Sequence, residues 1–129
     1  MRNAILFACL LTDAAAAAKV DFARDIQPLL REHCVECHGP SQQMRGLRLD
    51  RRRDAMPNRI GANRPRIIPG NGAGSLLYRR VSGTESGARM PPAGPLRPEQ
   101  VNVIKAWIDE GAEWPDGVTL VDKSPKDKK

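Results

Sequence analysis

Apolar residues recur at helical spacing in three places along this 129-residue chain. In "VDFARDIQPLLREHC", Phe22, Ile26, Leu29, Leu30 and His33 fall on one stripe. Asp25 is the expected N-cap, which puts Pro28 in the first turn, where its missing N–H costs little. A start at Asp21 would instead leave Pro28 to kink the helix. Either start delivers Cys34 at the C-terminal end, and Gly39-Pro40 stops the helix. In "IIPGNGAGSLLYRRVSG", a turn at Pro69-Gly70-Asn71-Gly72 leads into a short helix from Ser75, the expected N-cap, to about Val81. The clearest pattern is "RPEQVNVIKAWIDEGAEWP". Pro98 takes the first helical position, Val101, Ile104, Trp107 and Ile108 form the buried stripe, and Gly111 ends it. Arg97 is a poor cap there, since Ser or Thr would add roughly 1 kcal/mol. Residues 39–74 read mostly as loop, with one helical turn at "LDRRRDAM", and "TESGARMPPAGPL" is a rigid, helix-hostile loop. No strand and no internal repeat is indicated.

Composition sharpens this picture. There are only five aromatic residues (Phe7, Phe22, Tyr78, Trp107, Trp114) against 11 Gly and 11 Pro. A chain so rich in loops and poor in rings needs a staple: a disulfide, a metal or a bound cofactor. The first residues stand apart. "MRNAILFACLLTDAAAAAKV" has one positive charge at Arg2, an apolar run from Ala4 to Leu11, and small residues up to Ala18, which is the plan of a secretory signal. The run is too short for a bilayer, which needs about 20 residues. The expected division is a signal at 1–18, removed together with Cys9, a globular domain at 19–116, and a charged, disordered tail at 117–129.

The formal net charge is +6, and it is concentrated. Residues 45–66 hold Arg45, Arg48, Arg51, Arg52, Arg53, Arg59, Arg64 and Arg66 against Asp50 and Asp54. No aromatic residue lies in that segment for base stacking, so nucleic acid is not the expected partner. A solvated basic loop is the plain reading, and a docking face for an acidic protein the more specific one.

Chemistry concentrates at Cys34-Val35-Glu36-Cys37-His38. Two thiols two residues apart, with an imidazole immediately following, match covalent haem attachment. There the thiols add across the porphyrin vinyl groups and the histidine ligates the iron. A thioredoxin-like redox pair would place its first Cys at a helix N-terminus within a βαβ unit, and neither is present. Structural zinc wants four ligands, commonly from two separated pairs; after loss of Cys9 only two Cys and two His remain. A Cys34–Cys37 disulfide would close a very small loop and add little.

A haem iron held by His38 needs a sixth ligand or an open face, and the sequence offers Met44, Met56, Met90 and His33. His33 and Met44 are tied close to the attachment side, and Met56 lies in the arginine-rich loop. Met90 sits 52 positions after His38, enough chain to cross the ring, and Pro91 and Pro92 stiffen its approach. His38 and Met90 are therefore the expected iron ligands, in the His/Met arrangement that cytochromes use. Phe22, Leu29, Leu30, Leu77, Trp107 and Ile108 are expected to wrap the porphyrin, which would stand in for the missing aromatic core.

The stretches "VDFARDIQPLLREHCVECHGP", "GLRLD" at 46–50, "IIPGNGAGSLLYRRVSG" and "RMPPAGPLRPEQVNVIKAWIDEGAEWP" together resemble the planctomycete-type cytochrome c domain from Val20 to Pro115. Arg97 departs from the small hydroxyl residue usual before that family's Pro-Glu pair. The resemblance implies an all-α, small cytochrome c-like fold: three to four short helices and long loops around one covalently bound haem c. It also implies Cys34 and Cys37 as attachment points, His38 as proximal and Met90 as distal ligand, and electron transfer as the activity. Domains of this family usually sit at the start of longer exported proteins, so the chain is read as a free-standing periplasmic carrier or as such a module. No substrate pocket or proton-transfer pair is indicated, so an electron carrier is expected ahead of an enzyme or sensor with an open iron face. Its partner would be a redox protein, acidic where it meets Arg45–Arg66; no nucleic acid and no membrane span in the mature chain are expected.

Overall fold

The computed structural model describes residues 18–56 and 66–121. The expected export signal (except Ala18), Arg59, Arg64 and the charged end from 122 lie outside the described residues. Among the described residues the chain is all-α, with helices α1 (Gln27–His33), α2 (Arg52–Ala55), α3 (Leu76–Ser82) and α4 (Pro98–Asp109). A π turn at Phe22–Ile26 runs directly into α1, and a 3-10 turn covers Met44–Gly46. No strand forms among these residues; His38 with Gln43 and Arg51 with Thr119 make isolated antiparallel bridges.

The first helical segment begins at Asp21, not at Asp25. The Asp21 carboxylate accepts from the Arg24 N–H at 2.8 Å, while the Asp21 N–H donates to the Asp25 carboxylate at 2.8 Å. The two aspartates close the N-terminus reciprocally, which corrects the expectation that Asp25 is the cap. Pro28 neither caps nor breaks the helix. The preceding turn is widened to a π turn, with the Gln27 N–H bonded to the Phe22 carbonyl, and α1 restarts with Pro28 in its first turn. That extra residue per turn gives the pyrrolidine ring room against the carbonyls behind it.

Ser75 also departs from its expected role. It precedes α3 but makes no side-chain cap. Its hydroxyl is buried, accepts from the Ile68 N–H at 2.8 Å and donates to the Asn71 carbonyl at 2.8 Å, so it pins the 68–75 turn from inside. Arg97 does stand before α4, and the deficit is met from the other direction: the Gln100 side-chain oxygen accepts the Arg97 N–H at 2.9 Å. The stripe Val101, Ile104, Trp107 and Ile108 is buried as its periodicity requires.

α4 packs on α3 and on the π turn. Three rings, Phe22, Trp107 and Trp114, are gathered at that junction. Phe22 stacks on Trp114 with centroids 4.6 Å apart and meets Trp107 at 5.9 Å. Both indole N–H groups are satisfied locally, Trp107 by the Glu113 carbonyl and Trp114 by that of Val118. The chain therefore has an aromatic nucleus of its own, assembled from residues far apart in sequence.

Ordered packing also continues past 116, the boundary expected for the tail. Leu120 is 1% exposed, its N–H donates to the Asp50 carbonyl at 2.8 Å, and Thr119 bridges to Arg51. Asp50 is itself fully buried, gripped by both arms of the Arg48 guanidinium at 2.9 and 2.6 Å.

Candidate functional site

α1 delivers the cysteine-histidine turn directly. Cys34 is its C-cap, with its N–H donating to the Leu30 carbonyl at 3.0 Å. The chain then tightens: the N–H groups of Cys37 and His38 both donate to the Cys34 carbonyl, at 3.2 and 2.9 Å. Val35 points inward with no exposure, so Cys34, Cys37 and His38 are left half-buried on one turn. The turn is fastened from outside as well. The Met44 N–H donates to the Cys37 carbonyl at 3.0 Å, and the Leu49 N–H donates to that of His38 at 2.7 Å.

Gly39 completes the turn, a requirement not drawn from the sequence. A Cβ at this buried position would overlap the Val35 carbonyl oxygen and lie 2.7 Å from the Val35 Cγ1. Only a residue without a side chain lets the backbone fold so closely over Val35. The readable signal was a Gly immediately after the histidine.

The electrostatics separate the candidate chemistries. Cys34 and Cys37 are free thiols, not a disulfide. Burial, followed by the neighbouring Cys37, pushes the Cys34 thiol up to about 12. A redox pair needs the reverse, a thiolate favoured at a helix N-terminus, whereas Cys34 sits at the negative end of α1. Among the described residues, no three His, Cys, Asp or Glu side chains are gathered as a metal site of their own, so a closed zinc site is not assembled. Burial pulls the His38 imidazole below its ordinary pKa, with the Met44 and Leu47 carbonyls opposing and the Arg66 charge adding to the effect. The neutral form, the one that can donate a lone pair to iron, is thereby favoured. Its Nδ1 is buried with no hydrogen-bond partner. Two available thiols and a neutral, under-satisfied imidazole on one turn fit covalent haem attachment.

The methionines are distributed differently. Met44 is 53% exposed, whereas Met56 and Met90 are half-buried against the apolar core, which Cys34 also touches. Met90 reaches that core on the loop after α3, its N–H bonded to the Arg80 carbonyl at 3.0 Å. His33, at the end of α1, has its Nε2 3.9 Å from the Glu32 carboxylate. Of the residues expected to wrap the porphyrin, Phe22, Leu30, Leu77, Trp107 and Ile108 are buried in the core and Leu29 is half-buried at its edge.

No curated protein matches this chain, and neither does any solved structure. Residues 34–94 match the family described as Planctomycete cytochrome C. The match opens on Cys34 and closes just beyond the Met90-Pro91-Pro92 segment, so it spans the attachment turn, the arginine-rich loop and α3. Domains of this kind carry covalently bound haem c and work in haem-based electron transfer. A half-buried thiol pair and histidine on one turn, inside a stretch with that match, make residues 34–94 a planctomycete-type cytochrome c domain.

Proposed function

We propose that the chain is an exported, mono-haem c-type cytochrome that passes single electrons, with Cys34 and Cys37 as thioether anchors and His38 and Met90 as axial ligands. The observation that carries this reading is the turn itself: two free thiols and an imidazole leave the end of α1 together. Bound haem supplies a one-electron iron couple. The rest is the work of the chain. The two cysteines would hold the ring at the end of α1, and His38 would ligate its iron. Met90 would supply a neutral, polarisable sulfur as the second ligand, a pairing that favours the reduced iron more than two imidazoles do. Leu30, Leu77, Trp107 and Ile108, buried in the core, would help to screen the group from water.

Export is part of the proposal. Cytochrome c domains are generally exported, and no helix among the described residues is long and apolar enough to cross a membrane. We also propose an acidic redox partner that meets the basic segment Arg45–Arg66. The test is production with a haem c maturation system. The purified chain should gain the mass of one haem that survives denaturation, and Met90→Ala should open the oxidised iron to added imidazole. A colourless product would overturn the haem assignment, and a Met90→Ala protein indistinguishable from the parent would overturn the ligand assignment.

A further inference from the structure

The loop that carries Met90 is held by α3 through two consecutive arginines. Arg79 pairs with the nearly buried Glu85, its Nε 3.1 Å from the carboxylate. The Arg79 carbonyl accepts the N–H groups of Thr84 and Glu85 at 3.0 and 3.2 Å. Arg80 then reaches further along the loop. Its Nη1 donates to the Ser86 carbonyl at 2.8 Å and to the Ala88 carbonyl at 3.1 Å, while its own carbonyl accepts the Met90 N–H at 3.0 Å. Gly87 lies between the two bonded carbonyls with φ +94°, and a Cβ there would sit 3.0 Å from the same Nη1. The loop is thus wrapped around one guanidinium, and the missing side chain at 87 leaves it room.

From this geometry we infer that Arg80 is the positioning residue for the distal ligand: its guanidinium clasps the 86–88 backbone and so holds the Met90 thioether in reach of the iron. The inference rests on the assignment of Met90 as ligand. Arg80 touches no reacting atom, and its effect is on how often the loop stands open. A single guanidinium serving two carbonyls replaces the loop's own ladder, because "TESGARM" has neither helical pattern nor strand partner. Without the clasp, the Met90 backbone bond to Arg80 remains but Ser86 and Ala88 lose their anchor. The chemistry favours Arg over Lys here, since the two N–H bonds of one planar Nη1 are preset toward the two carbonyls, whereas an ammonium on a flexible stem acts as a point donor.

The experiment uses the full-length, haem-bearing protein and four variants: Arg80→Gln, Arg80→Lys, Arg89→Gln and Met90→Ala. Two readouts apply to the oxidised protein, the charge-transfer band of thioether-ligated iron and the affinity for added imidazole. Arg80→Gln should keep its covalent haem and helix content while its band fades and imidazole binds about tenfold tighter, the net scale of losing two solvent-exposed guanidinium bonds. Arg80→Lys should fall between it and the parent, and it carries the test if Arg80→Gln does not fold. Arg89→Gln removes an equal charge from the same loop. The Arg89 side chain lies over Gly83 instead of the loop carbonyls, and this variant should match the parent. If Met90→Ala opens the iron but Arg80→Gln does not, the inference fails alone. If Arg89→Gln mimics Arg80→Gln, charge and not the clasp is responsible and the inference also fails. A parent without the band, unchanged by Met90→Ala, would overturn the ligand assignment and the inference together.

Discussion

The contact that ties the two ends of the domain together can be removed at one residue. Trp114 is 3% exposed, its ring stacks on Phe22 at 4.6 Å and 29°, and its N–H holds the Val118 carbonyl at 3.0 Å. Trp114→Ala deletes the ring from a packed site and leaves that carbonyl and the face of Phe22 without a partner. Large-to-small core changes of this kind cost about 3–5 kcal/mol. Small domains are stable by only about 5–15 kcal/mol, so the loss is a large share of the total. Trp114→Phe keeps a ring over Phe22 and removes the N–H and the outer part of the indole; one neutral hydrogen bond and a modest loss of contact place it near 1–2 kcal/mol. In urea, with a slope of about 2 kcal/mol per molar, Trp114→Ala should lower the midpoint by roughly 1.5–2.5 M and Trp114→Phe by less than about 1 M. The assay is urea unfolding of the haem-bearing chain followed by far-UV circular dichroism, with Trp107 fluorescence as the second probe. A Trp114→Ala midpoint within about 0.5 M of the parent would mean that the 112–120 segment does not seal the core, and the packing argument would fall.

Gly39→Ala should cost roughly 1–3 kcal/mol by overpacking, because the added methyl meets the Val35 carbonyl and Cγ1; a melt of the haem-bearing variant checks this, and an unchanged midpoint would refute the close-approach reading. Asp109 accepts from Lys105 Nζ and the Gly72 N–H, both at 2.7 Å, and the Lys105 bond followed by the Gly72 bond holds its carboxyl below the usual range. A depressed folded pKa means that the unfolded chain binds more protons. The stabilisation is therefore complete above about pH 4, the ordinary carboxylate range, and fades as pH falls through the lower folded value. Asp109→Asn should show a shallower acid limb in urea midpoints measured against pH, with an identical slope counting against the assignment.

What the sequence disclosed, and what it withheld, follows from the range of the interactions. The α4 stripe was legible because Val101, Ile104, Trp107 and Ile108 repeat over a full 12-residue helix with Pro98 at its start. Cys34, Cys37 and His38 were legible as a turn because a stripe runs into them and Gly39-Pro40 follows. The choice between Asp21 and Asp25 was not, since both stand at cap spacing and the answer depended on a π turn that accommodates Pro28. Ser75 looks the same in sequence whether it caps a helix or pins the turn before it. Trp114 and Leu120 carry no periodic signal; their burial comes from Phe22 and Asp50, which lie 92 and 70 positions earlier. Gln100 meeting the need at Arg97 was written in the sequence, three residues on, as half of a capping box.

The arginines show most clearly how composition and structure part. In sequence, the run from Arg45 to Arg66 is a block of like charge, and a block of like charge reads as a field for a partner. In the fold, Arg48 is committed to buried Asp50, Arg51 to Asp54 at 2.5 Å, and Arg52 to Asp116 at 3.2 Å. Each of those pairs is locally close to neutral, so it adds little to a potential felt beyond a Debye length of about 8–10 Å. Arg66 differs: it leans on the carbonyls of Arg45 and Gly46 at 3.4 Å, no carboxylate among the described residues pairs with it, and its charge adds to the lowering of the His38 pKa. Arg45 shares that turn, beside the exposed Met44. Among the described arginines of the segment, the charge left without a close carboxylate therefore lies at the 44–47 turn beside His38, while Arg48, Arg51 and Arg52 act as internal struts and Arg53 shares Asp54 with Arg51. Among the described residues the same residue type thus supplies unpaired charge beside His38 and rigidity at Arg48, Arg51 and Arg52, and an acidic partner of the kind proposed would be drawn to the former.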